Sequence, residues 1–395
     1  MKDAPIAPKR TRFRRHAPAA VEDPRGGVPY PPYDLRGTAE AASAQEQARI
    51  IAENTRDSGW EPTTPEGRTR LVYEDEKGDE WEEEYSLEDL RRLREFAEER
   101  GINRPSSFPG APDRSPLTAP NLEAQAWSNG SDARIPKPLN ATWPSNDNVL
   151  SRQGLLSSSI GGCTAALVGR RLVLTAAHCV VNANGQVPNG TLYMARADAG
   201  TNPWGVQGAS GSWRDAEYVN NNCHLTYNTA TRETCGKYDW ALLRLNSNSW
   251  NNGDPNATAG SMGFWVAPEG GWYARIDGYP GCAYADAPSG CVAGRAYGQD
   301  IGHSLFNFRG LVGGEKTIFQ SANDTSPGHS GGPIWSSSYP DSNGPYVLGI
   351  VTNSMCATCA APETPTANDK TYPTMNWKMT AAVAGIITDK IALYP

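Results

Sequence analysis

Three short stretches bring together the residue types that nucleophilic catalysis needs. Pro327-Gly328-His329-Ser330-Gly331-Gly332-Pro333 sets a serine among glycines and prolines, a composition that fits neither helix nor strand interior and demands a loop of unusual torsions. A serine hydroxyl is a weak nucleophile at neutral pH: it needs a base beside it, and the base needs a third group to orient it. Leu174-Thr175-Ala176-Ala177-His178-Cys179 supplies an imidazole just after an apolar run, and Lys237-Tyr238-Asp239-Trp240-Ala241-Leu242-Leu243 supplies a carboxylate at the head of another. The chemistry these could do is acyl transfer, with the glycine turn aiming backbone N–H groups at the oxyanion. Other chemistries lack their residues. The five histidines are scattered without a His-Glu-x-x-His pair, and neither a phosphate-binding loop nor Gly-x-Gly-x-x-Gly occurs, so no metal and no cofactor are expected.

The elements that must position these groups read as short strands. From residue 150 onward, TAALV, RLVLTA, WALLRL and YVLGIVT are β-type runs separated by Gly, Asn and Pro. Thr380 can cap a terminal helix with Val383, Ile386, Ile387 and Ile391 on one face. All eight cysteines, Cys163, Cys179, Cys223, Cys235, Cys282, Cys291, Cys356 and Cys359, lie in this part. Their even number falls into four sequence-neighbour pairs, one of many pairings eight cysteines allow, and indicates an oxidised, exported domain, secreted or periplasmic. The opening MKDAPIAPKRTRFRRHAPAA is basic without the apolar region of a secretory signal, so the compartment is read from the cysteines. No apolar run approaches the roughly 18 residues of a membrane span.

Charge divides the chain. Residues 1–134 hold 20 Lys/Arg and 26 Asp/Glu, against 16 and 17 in 135–395. The charged part is read as a leader over 1–101, followed by a Pro/Ser/Asn-rich linker over 102–149 and a catalytic domain over 150–395. Residues 1–35 mix basic residues with prolines and read as disordered, with RTRFRR a solvated tail rather than a nucleic-acid site. Thr69–Tyr85 reads as a hairpin turning at Lys77-Gly78, and Ser86 as the cap of a helix ending near Gly101. Leu87, Leu90, Leu93, Phe96 and Ala97 form its apolar stripe. That stripe must bury against something, and the catalytic domain is the expected partner.

Thr175-Ala176-Ala177-His178-Cys179, Asp239-Trp240-Ala241-Leu242-Leu243 and Gly328-His329-Ser330-Gly331-Gly332-Pro333, in that order, resemble the trypsin/chymotrypsin superfamily of serine proteases over roughly residues 150–395. Gly278-Tyr279-Pro280-Gly281 resembles the bacterial V8-like, glutamyl endopeptidase-like branch. The resemblance implies an all-β fold of two antiparallel six-stranded β-barrels with a C-terminal helix, preceded by the charged α+β leader. It implies a secreted serine endopeptidase acting on protein or peptide substrates. With it, the leader is read as a removable propeptide and intramolecular inhibitor. Arg134-Ile135 is the attractive junction, whereas Lys137-Pro138 should resist cleavage.

Carried over residue by residue, Ser330 is the nucleophile, His178 the base and then the acid, and Asp239 the group that fixes the imidazole tautomer. The Gly328 and Ser330 amides form the oxyanion hole. Cys163–Cys179 becomes the disulfide that pins the histidine loop, and Cys223–Cys235 closes a loop between His178 and Asp239; apart from the resemblance, Cys356-Ala-Thr-Cys359 reads as a small loop staple and not a redox motif, since no βαβ pattern surrounds it. Counting six residues back from Ser330 gives Asp324, which with Thr325, Val351 and Thr352 is the expected substrate pocket. A carboxylate at its floor implies preference for Arg or Lys, although an Asp-Thr pair also stands here in V8-like relatives without that preference. Val351 stands where glutamyl endopeptidases present a histidine, which disfavours glutamate. His329 is a departure. Many animal relatives place there an acid that receives a newly released N-terminal amine, so that switch is not available here in the same form. Two readings compete with this one: a binding protein on a protease scaffold, and a protease whose leader is chiefly a partner-binding module. No nucleic-acid or membrane partner is expected.

Overall fold

The apolar runs of the catalytic part are too short for core helices, and several are buried along their whole length, so they close into barrels. The computed structural model describes residues 8–13, 68–105, 134–136, and 152–394 apart from 196, 203–204, 227–231, 247–259, 268–270, 284–286, 306, 313–314, 322–324, 337–343 and 355–373. The leader contributes β1 (Lys9–Arg12), β2 (Arg68–Glu74) and β3 (Glu80–Ser86), and β4 (Ile135–Pro136) follows the linker. Then come β5 (Gln153–Ser158), β6 (Gly161–Gly169), β7 (Leu172–Thr175), β8 (Leu192–Ala195), β9 (Gln207–Asp215) and β10 (Ala241–Leu245). These six run β9-β10-β7-β6-β5-β8, and β8 pairs back onto β9 to close the first barrel. Leu167, Val173 and Leu243 lie in register on one face of this sheet and Leu174 and Leu242 on the other, and all five are fully buried, so both faces are covered.

The second half holds β11 (Gly263–Phe264), β12 (Gly271–Gly278), β13 (Tyr297–Leu305), β14 (Asn307–Val312), β15 (Glu315–Ser321), β16 (Pro333–Ser336), β17 (Tyr346–Ser354) and β18 (Thr374–Lys378). Its order is β14-β15-β18-β17-β16-β12-β13-β4, with β11 beside β17. Because β13 and β14 succeed one another along the chain, one pairing β12 and the other β15, the sheet returns on itself as six lanes. The barrels meet where Trp240 packs on Trp377, ring centroids 5.9 Å apart. The terminal helix, Ala381–Leu393, is capped by the Thr380 hydroxyl and buries Val383, Ile386 and Ile387 in the core shared with the first barrel. Among the described residues no helix is long and apolar enough to cross a membrane.

The leader is sheet as well as helix. Its hairpin turns at Gly78, φ +78, and β2 pairs antiparallel with β9 from Leu71–Asp215 to Glu74–Ser212. Lys9–Arg12, within the stretch read as disordered, instead forms β1 on β3, setting Lys9, Arg10 and Thr11 opposite Glu84, Glu83 and Glu82. Opposite charges directly across a sheet supply what hydropathy does not signal. Ser86 caps the helix Leu87–Arg100 in a reciprocal box with Asp89, and Gly101 ends it in the left-handed conformation. Leu90, Leu93 and Ala97 are buried, and Leu90 and Leu93 belong to the same apolar cluster as Ile386 and Ile387. Leu87 and Phe96 are half-buried at the margin. Leu90→Ala should therefore destabilise the whole molecule by roughly 2–5 kcal/mol. Urea unfolding followed by tryptophan fluorescence checks this, and a loss below about 0.5 kcal/mol would place the helix outside the cooperative core.

Candidate active site

His178 sits in the short 3-10 turn Ala177–Cys179 that follows β7, and Asp239 in the turn that enters β10. These strands pair, with Ala241 opposite Thr175, so the two side chains start from neighbouring ends of one sheet. Asp239 is fully buried, and its Oδ2 lies 2.7 Å from His178 Nδ1 while Oδ1 accepts the His178 backbone N–H at 2.9 Å. A carboxylate in that place puts the imidazole proton on Nδ1 and leaves Nε2 as the basic nitrogen. Burial, and then the nearby Asp239 charge, push the Tyr218 phenol well above its ordinary range. Disulfides flank both groups. Cys163–Cys179 holds the residue after His178, and Cys223–Cys235 holds the turn in which the Tyr238 N–H bonds Cys235 O. Each closed loop is worth on the order of 3 kcal/mol in the chain-entropy model.

The serine turn is held from three sides. Thr164 on β6 donates its backbone N–H to Ser330 O at 2.8 Å and its hydroxyl to Gly328 O at 2.7 Å, while that hydroxyl accepts the Tyr279 N–H. The Gly331 N–H bonds Val351 O, the Val351 N–H bonds Gly332 O, and the Gly281 N–H bonds Pro327 O. Gly328 and Gly331 have φ of +100 and +78. A Cβ on Gly331 would lie 2.1 Å from Thr175 Oγ1 and 3.0 Å from Ala176 N, and one on Gly328 would lie 2.4 Å from Tyr279 O. The glycines thus let the turn press directly on the segment leading to His178. Gly278 has a similar reason: its Cβ would lie 2.7 Å from His329 Cδ2. The third disulfide, Cys282–Cys291, follows that Gly-Tyr-Pro-Gly stretch at once.

The other expected residues are distributed differently. Asp324, Cys356 and Cys359 lie outside the described residues. Thr325 bonds Thr374 through the hydroxyls at 3.0 Å. Val351 is buried in the second barrel's apolar cluster and meets the serine turn through its backbone, and Thr352 beside it is buried too. Arg134-Ile135, attractive as a cleavage junction, is built into the fold. The Arg134 guanidinium is buried and donates to Ser326 Oγ at 2.8 Å, and Ile135–Pro136 pairs with Gly298–Tyr297. Thr164 went unnoticed in the sequence because a threonine inside an apolar strand carries no chemical signature; its adjacency to Cys163 was the one available clue. Among the described residues one group brings metal-ligand atoms within reach of one another, Cys163, His178 and Cys179, and its two sulfurs are joined in a disulfide, so it offers no thiolate.

A closed double barrel with a His–Asp pair on one half and a serine turn from the other pressed against it is the architecture of a serine peptidase. The chain belongs to the trypsin family, whose model matches residues 145–378. No curated protein matches it. Among solved structures it is similar to a Glu endopeptidase in complex with MPD, at 18% identity over 67% of this chain and 99% of that one, TM-score 0.45. It is also similar to the protease Anisep from Arthrobacter nicotinovorans, at 14% identity over 62% and 97%, TM-score 0.43.

His329 provides a pH test of the loop. Its ring is buried, and burial together with the Arg134 charge pushes it down to about 3. Ser326 N–H points to its Nδ1 at 3.3 Å. The unfolded chain would bind a proton near pH 6.5 that the folded chain refuses. The stability tied to this ring is therefore full above about pH 6.5 and is lost as pH falls towards 3. His329→Asn, whose amide oxygen can take the place of Nδ1, should flatten that slope: between about pH 6 and 4 the parent should lose on the order of 1 kcal/mol per pH unit more than the variant. Equal slopes in acid-titrated urea melts would contradict this account.

Proposed function

We propose that the protein is an exported serine endopeptidase in which His178, Asp239 and Ser330 form the triad. The observation that carries this reading is the pairing of buried Asp239 with the partly exposed His178 at 2.7 Å, together with a serine turn whose Gly331 leaves no room for a Cβ against Thr175, three residues before that histidine. Ser330 attacks the scissile carbonyl, and His178 Nε2 takes its proton and then delivers it to the leaving amine. Asp239 holds the tautomer and stabilises the imidazolium, and water repeats the sequence on the acyl-enzyme. The N–H groups of His329, Gly331 and Gly332 are engaged by Ser326, Val351 and His329 carbonyls, so the Gly328 and Ser330 N–H groups are those assigned to the oxyanion. Removing one such donor costs on the order of 10²–10³ in rate. Three disulfides around the site suit an oxidising compartment. The leader is proposed to be severed within the linker, N-terminal to Arg134, since Arg134–Pro136 is occupied in the second sheet.

Ser330→Ala should lower peptide hydrolysis by on the order of 10⁴–10⁶ with the fold unchanged, and a fluorophosphonate probe should label the parent at Ser330 alone. Absence of labelling in the folded parent, or variant activity within tenfold of it, would falsify the triad and leave a binding protein on this scaffold. Side-chain preference before the scissile bond is read from sequence position only, as Arg or Lys through Asp324. Profiling with a mixed peptide library should find that preference in the parent and lose it in Asp324→Ser. Cleavage after Glu, or a preference unchanged in the variant, would count against it.

A further inference from the structure

The catalytic domain contains two fully buried cations that take carboxylates from the leader, although Lys390 also lies 3.0 Å from Oδ2 of its own neighbour Asp389. Arg214 on β9 lies 3.1 Å from Glu74 Oε2 and 2.6 Å from Glu80 Oε1. Lys390 on the terminal helix lies 2.7 Å from Glu83 Oε2, and Tyr85 donates its hydroxyl to the adjoining Asp389 at 2.7 Å. Tyr73 stacks on the buried Trp213 at 5.0 Å. Just beyond the leader helix, at the start of the linker, Asn103 O accepts the Phe264 N–H at 3.0 Å, so this segment bonds the second half as well as the first. Departure of the segment would take Glu74 and Glu80 from Arg214 and Glu83 from Lys390, a loss of ion-pair partners at buried cations that a segment made only to leave has no reason to build in.

One of these acids reaches toward the site. Glu74 Oε2 accepts the Val187 N–H at 3.0 Å, and Arg214, held by Glu74, donates to Gly185 O at 2.7 Å. Gly185 lies within, and Val187 directly follows, the turn closed by Asn182 N–H to Gln186 O, which begins four residues after His178. Val180 and Val181 N–H in turn bond Ala177 O, so the path from Glu74 to the imidazole runs through one tight, bonded loop.

We infer that the hairpin and helix of residues 68–104 are a permanent part of the working enzyme, staying bound after the linker is cut, and that Glu74 is a positioning residue for the histidine loop. The leader is then a support for the site and not its inhibitor. The positioning claim rests on the peptidase reading; retention does not.

Two measurements separate them. In the full chain carrying Ser330→Ala, a recognition sequence for a site-specific protease is inserted between residues 110 and 130 and cut. The two fragments should co-elute on size exclusion at the position of the uncut chain and part only in denaturant. Elution of the N-terminal fragment apart from the rest under native conditions overturns retention, whatever the chemistry of the site. In the active chain, Glu74→Gln should lower kcat at least tenfold at temperatures well below unfolding, with KM changed less than about threefold and fluorophosphonate labelling slowed in parallel. Glu74→Asp, which keeps the charge, should restore part of kcat. An unchanged kcat in folded Glu74→Gln, or in Glu74→Asp should the first variant not fold, removes the positioning role. A parent that neither hydrolyses peptides nor reacts with the probe refutes the peptidase reading instead, and the co-elution result is untouched by it.

Discussion

Residues Cys163 and Thr164, adjacent on one strand of the first barrel, hold the geometry of the site. Cys163 is bonded covalently to Cys179, next to His178, and Thr164 is bonded through backbone and hydroxyl to Ser330 and Gly328 of the opposite barrel. The histidine loop of one barrel and the serine turn of the other are thereby referred to one dipeptide. Because Thr164 is fully buried, its hydroxyl bonds are made in a dry environment, where an unsatisfied polar group is expensive and a satisfied one directional. A hydrophobic replacement of the same shape would keep the packing and lose the alignment.

The leader extends this logic outward. Its apolar stripe could have been served by any greasy groove, but its acids are matched to particular cations. Arg214 and Lys390 have no exposed side-chain surface, and Glu83 has none either. Paired buried charges add little net stability compared with apolar packing, yet each is strongly disfavoured when its partner is absent. They therefore specify which surface must sit there more than they hold it there. Arg10 reinforces the same point from a third segment, reaching Glu83 at 2.8 Å and lying over the Tyr73 ring.

Much of this was legible in the residues. The two barrels follow from short β-type runs together with the three motifs, the hairpin from Lys77-Gly78, and the helix from Ser86 and its stripe, because each depends on local chemistry. The closeness of His178 and Asp239 was legible through motif order, and the disulfides Cys163–Cys179, Cys223–Cys235 and Cys282–Cys291 through neighbour pairing. What escaped depends on long-range juxtaposition. The strand at Lys9–Arg12 exists because of glutamates some 70 residues away, and nothing in KRTR announces it. The addition of β2 to β9 needed knowledge of where the first barrel closes. Arg134 looked like a cleavage junction because its burial beside Ser326, 192 residues on, has no local trace.

Strand β9 has two partners on one flank: β8 meets it at Gln207 and Gly208, and β2 meets it from Ser212 to Asp215. Past the point of closure the strand would otherwise present bare amides and carbonyls, which is the kind of template on which chains aggregate edge to edge. Among the described residues the hairpin moves the outer margin of the sheet to Lys9–Arg12, four residues long and exposed throughout, three of them cationic. A short, charged strand of this kind is a poor template for edge-to-edge pairing, even with Arg10 and Arg12 paired to Glu83 and Asp79. The outer boundary of the sheet is thus set by a strand some 60 residues before the hairpin it covers.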